Sequence, residues 1–113
     1  MTEEVIREME AKIPVLTKAV SEYSKLVSEL ESVQSDIRAA DSEAATVGDE
    51  FSKNYMGSRV DIHVSVGSIK AGTNSALNTI NALISEIESY IGKIDRLLSQ
   101  YQMMIDQARQ SAE

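Results

Sequence analysis

The stretch from Ala76 to Ala108, ALNTINALISEIESYIGKIDRLLSQYQMMIDQA, carries the pattern from which the fold is read. Ala76, Ile80, Leu83, Ile87, Tyr90, Ile94, Leu97, Tyr101, Met104 and Ala108 recur through it at alternating steps of four and three. That spacing returns a side chain to one face of an α-helix, whereas a strand would need a period of two. Val66, Ile69 and Thr73 hold the same phase upstream, so a helix is expected over residues 59–110. Gly67, Gly72 and Gly92 weaken it locally, by roughly 1 kcal/mol each.

The first half repeats the pattern. Ile6, Met9, Ile13, Leu16, Val20, Tyr23, Val27, Leu30 and Ile37 alternate in the same steps, with Gln34 filling the polar slot. Ile6 takes position a of a heptad and Met9 position d. Pro14 either begins a helix near Lys12 or kinks one begun near Thr2. The kink is preferred, because the seam keeps its phase across it. Ala40, Ala44, Val47 and Phe51 extend the helix to about residue 52, although Gly48 argues for fraying. A turn is expected over 54–58, where Gly57 breaks the helix and Ser58 with Asp61 resembles an N-cap followed by an acidic first turn. Two helices joined by a short turn lie antiparallel. The expectation is therefore an all-α, single-domain helical hairpin.

Beyond the a and d rows each helix has a third apolar row. In the second helix it is Leu77, Ile84, Ile91, Leu98 and Ile105, at position e. In the first it is Val5, Ala19, Leu26, Val33, Ala40 and Val47, at position g, with Lys12 the exception. In an antiparallel pair e faces e and g faces g, so these rows are expected on opposite sides of the seam. Each would lack an apolar counterpart. A helix with a three-row apolar face belongs to a larger bundle, so Leu26, Val33, Leu77, Ile84, Ile91, Leu98 and Ile105 are expected to bind further helices. These would complete a four-helix bundle from a second copy or from another protein. Alternatively the hairpin twists and the row widens its own core.

The composition narrows the function. The chain has 113 residues, one Phe, four Tyr, no Trp, no Cys and a formal net charge of −7. An acidic chain without a basic cluster lacks the surface that nucleic acid or an anionic membrane requires. Without Cys there are no disulfides, thiolate metal sites or Cys nucleophiles. The acidic N-terminal segment MTEEVIREME has no signal-peptide core, and no apolar run reaches the length of a membrane span. A soluble cytoplasmic protein, or one exported without a cleaved signal, is expected. His63, the single histidine, lies beside Asp61 without metal-ligand spacing and reads as a surface residue near the turn. No phosphate-binding loop, nucleophile elbow or zinc-binding helix pattern is present. The residues therefore point to binding, not catalysis, with no metal and no cofactor.

The hairpin, the size and the turn Tyr55-Met56-Gly57 resemble the WXG-type proteins of type VII secretion. In that family a Trp-x-Gly turn joins two long antiparallel helices; here Tyr55 stands in place of the Trp. The late turn and long second helix are closest to the small helical proteins associated with LXG toxins. The resemblance implies a chaperone or targeting factor that binds the N-terminal helical domain of its toxin, with room for a second small helical helper. It also implies an export signal of the form Tyr-x-x-x-Asp/Glu or Phe-x-x-x-Asp. Here Tyr101 is followed four residues later by Ile105, and Phe51 by Tyr55, so neither form is present. A helper whose partner supplies the signal is the reading this leaves. The competing expectation is a coiled-coil adaptor or structural protein that associates with its own copies.

Overall fold

The computed structural model describes residues 2–54 and 59–112, with side chains described from Thr2 to Glu50 and from Ile69 to Ser111. Two helices make up the fold: α1, Glu3–Asn54, and α2, Arg59–Ala112. They form an antiparallel helical hairpin. Glu10 on α1 pairs with Arg109 on α2, and Gln34 with Asn81. Residue numbers thus rise along one helix as they fall along the other.

The start of α1 follows from its first residues. Thr2 caps it: the Val5 N–H donates to the Thr2 hydroxyl at 3.3 Å, and the Ile6 N–H to the Thr2 carbonyl at 3.2 Å. Glu3 and Glu4 in the first turn face the positive end of the helix dipole. The helix continues through Pro14, which lacks the N–H that would bond the Glu10 carbonyl. It also continues through Gly48, so the expected fraying is absent. Gly48 is buried at a seam position, where packing outweighs its low helix propensity.

The packed chain divides into two units, one of residues 1–28 with 85–113 and one of residues 29–84. In the first, Ile6, Met9 and Ile105 form a buried cluster, with Ile13, Tyr101 and Ala108 packed against it. In the second, the α1 side of the seam runs Leu30, Gln34, Ile37, Asp41, Ala44 and Gly48. Opposite it, Thr73, Leu77, Ile80 and Ile84 are buried or half-buried.

Burial along α2 corrects the expected phase. The covered residues include Thr73, Leu77, Ile80, Ile84, Ile87, Ile91, Ile94, Leu98, Tyr101, Ile105 and Ala108, at steps of four and three, with Gly92 and Leu97 half-buried beside them. The Leu77–Ile105 row, expected to stand free, lies in the hairpin seam, with Ile84 9% exposed and Ile105 3%. The Leu83 row, expected in the seam, is mostly outside: Ile69, Leu83, Tyr90 and Met104 are exposed and Leu97 half-buried. At about 100° per residue this is a rotation of α2 by roughly 50°. The row that wins is uniformly Leu and Ile. The row that loses contains Ala76, Tyr90 and Met104, and a buried Tyr hydroxyl would need a partner. Tyr23, a seam position on α1, is also exposed.

Candidate functional site: an apolar edge on the hairpin

The rotation decides which sides of the hairpin are polar and which are apolar. In the unit of residues 1–28 and 85–113, Glu10 and Arg109 form an ion pair across one side of the seam. A shallow groove on that side is lined by Glu10, Ile13, Pro14, Gln102, Ile105, Asp106 and Arg109. The same α1 row continues as Thr17 and Ser24, and the same α2 row as Asp95 and Glu88, so this edge is polar. On each helix the leftover apolar row lies on the other flank of the seam. Val5, Leu26, Tyr90 and Met104 are exposed there, with Ala19 and Leu97 half-buried.

The unit of residues 29–84 repeats the arrangement. Gln34, 5% exposed, donates from Nε2 to Asn81 Oδ1 at 2.5 Å, which places Asn81 on the polar side. With the helices in that register, Val33 lies level with Leu83, Ala40 with Ala76, and Val47 with Ile69. All six are exposed, Leu83 by 43% and Val47 by 58%. The edge is wide at both ends and narrow in the middle, where two alanines face each other.

Of the residues expected to bind partners, Leu26 is on the exposed edge of the first unit and Val33 on that of the second. Leu77, Ile84, Ile91, Leu98 and Ile105 are not; they are the hairpin's own core. In their place on α2 stand Ile69, Leu83, Tyr90, Leu97 and Met104, which the sequence pattern had assigned to the seam. The turn residues Tyr55, Met56 and Gly57 and the side chain of His63 lie outside the described residues. Among the described residues no group of three or more His, Cys, Asp or Glu side chains is arranged to hold a metal ion. No helix among them is long and apolar enough to cross a membrane.

Several other polar side chains pair within a single helix. Arg7 pairs with Glu3 at 3.8 Å and Lys18 with Glu22 at 4.0 Å, each one turn apart. The hydroxyls of Thr17, Thr46, Thr73 and Thr79 bond the carbonyl four residues earlier. Lys93 Nζ sits 5.5 Å from the centre of the Tyr90 ring. No protein-family model, curated protein or solved structure matches the chain.

Proposed function

We propose that this protein works by binding helices of another protein along its apolar edge, as a targeting or chaperone partner. The observation that supports this most is the pairing of two exposed aliphatic rows on one side of the hairpin, opposite a polar side. Monomeric proteins expose single apolar residues freely but seldom a contiguous apolar strip.

A second observation supports it. In the unit of residues 29–84 the α1 seam contributes two large aliphatic side chains, Leu30 and Ile37, among Gln34, Asp41, Ala44 and Gly48. The edge of the same unit offers Val33, Val47, Ile69 and Leu83. Covering a half-exposed Val, Ile or Leu gains about 1 kcal/mol at roughly 25 cal/mol per Å². Four such residues, with comparable area from the partner, exceed what ordering one docked helix costs only modestly.

The specific form of the proposal is the one the turn sequence suggests. The chain is a helper of an LXG-type toxin in type VII secretion, bound to the toxin's N-terminal helical domain. The test is molecular mass in solution, for the protein alone and co-expressed with a neighbouring gene product that begins with a long helical domain. A heteromeric complex that Val33→Asp with Leu83→Asp dissociates, at unchanged helicity, is the expected result. A stable homo-oligomer in both preparations would instead make the chain a self-associating coiled coil.

A further inference from the structure

The edge in the unit of residues 29–84 has a charged rim on one side only. Glu29, Asp36 and Glu43 each precede a residue of the apolar row by four positions: Val33, Ala40 and Val47. Residues four apart are neighbours on a helix surface, so an acidic line runs directly beside the apolar one. All three are exposed, and among the described residues none forms an ion pair with Lys or Arg. On α2 the corresponding flank carries Gly72 and Thr79, which have no charge.

We infer that this edge takes an amphipathic helix with Lys or Arg along one flank of its apolar face, a partner chemistry that rests on the helix-binding reading above. Charge complementarity selects this occupant over a second copy of the chain. A second copy would bring to the edge its own acidic rim, the uncharged Gly72–Thr79 flank, or the edge of residues 1–28 and 85–113, where Lys12 and Lys93 are interspersed with Glu8, Glu22 and Glu86. None supplies an unbroken line of cations, and like charges set opposite each other disfavour the wrong partner. A helix with one basic flank meets all three carboxylates while its apolar rows cover Val33, Val47, Ile69 and Leu83. The facing Ala40 and Ala76 leave the room for one large side chain at the centre of that contact.

The experiment uses the full chain and two stapled helical peptides of about three heptads, so that helix formation does not limit binding. Their apolar faces are identical. One carries Lys and Arg on a single flank and the other Glu at the same positions. Binding is read by fluorescence anisotropy in low salt and in 1 M NaCl. Exposed ion pairs are individually weak, so three of them predict roughly tenfold tighter binding of the basic peptide, not thousandfold. The preference shrinks in high salt, where screening is within a few ångströms. It disappears in the triple variant Glu29→Gln, Asp36→Asn, Glu43→Gln, whose helicity is checked by circular dichroism. Equal binding of both peptides, or a preference that the triple variant retains, overturns the charge inference and leaves the docking reading standing. Binding of neither peptide overturns both, whether the chain is monomeric or has closed its edge with a second copy.

Discussion

Leu83 and Ile84 are adjacent in sequence but occupy different rows, so truncating each in turn tests the phase of α2 directly. Ile84 is 9% exposed and faces α1; Leu83 is 43% exposed on the apolar edge. Truncating a buried Ile to Ala costs about 2–5 kcal/mol, the spread reflecting how far the site collapses. In a two-helix seam the site collapses readily, and Ala gains a few tenths of a kcal/mol in helix propensity, so about 2–3 kcal/mol is expected for Ile84→Ala. Leu83 has already lost a little over half its surface to the fold, which at roughly 25 cal/mol per Å² predicts about 1 kcal/mol for Leu83→Ala. Urea unfolding followed by far-ultraviolet circular dichroism measures both, at two protein concentrations so that association is separated from stability. The expected result is an Ile84→Ala loss at least twice that of Leu83→Ala. Equal losses, or a larger loss at Leu83, would falsify the rotation of α2 and return the Leu83 row to the seam.

Three further outcomes follow from the same packing. Replacing Gln34 by Leu removes a buried polar group whose partner, Asn81, is exposed and can turn to water; the urea midpoint should rise by the equivalent of about 1 kcal/mol while the mass distribution in solution broadens, since a buried polar residue at a heptad position fixes register. A lowered midpoint would show that the hydrogen bond is worth more than the apolar burial gained. Pro14→Ala restores the N–H that bonds the Glu10 carbonyl, and thermal unfolding should show a gain of about 1–3 kcal/mol, less than the full helix penalty because Pro also restricts the unfolded chain. No gain would mean the helix is already distorted there for another reason. The Glu10–Arg109 pair is largely exposed on both sides, so Arg109→Ala should shift stability by no more than about 0.5 kcal/mol; a loss above 1 kcal/mol, persisting in high salt, would contradict that.

The heptad spacing makes the helices and their antiparallel pairing legible in the sequence. It could not choose the phase of α2, because Ile80, Ile87 and Ile94 belong to both candidate seams and the rows on either side of them are both apolar. Counting apolar positions treats Ala76, Tyr90 and Met104 as equal to Leu77, Ile91 and Ile105. Burial does not: it rewards aliphatic volume and penalises a Tyr hydroxyl without a partner. Uniformity of the Leu77 row was thus the readable signal for the core. The polar slot at Gln34 was visible, but its partner Asn81 was not, since a cross-helix contact depends on the phase that spacing left open.

That single choice of phase also changes what kind of partner the hairpin can take. With the Leu83 row in the seam, the leftover rows would lie on opposite edges, and covering both would need two separate occupants. With the Leu77 row in the seam, the Glu10–Arg109 pair marks one edge as polar and both leftover rows fall on the other. In the unit of residues 29–84 one helix can then touch Val33, Val47, Ile69 and Leu83 together. Such a helix would contact α1 and α2 at once, so its binding and the pairing of the two helices should reinforce each other. The corrected phase therefore moves the exposed apolar row on α2 while making the proposed docking simpler.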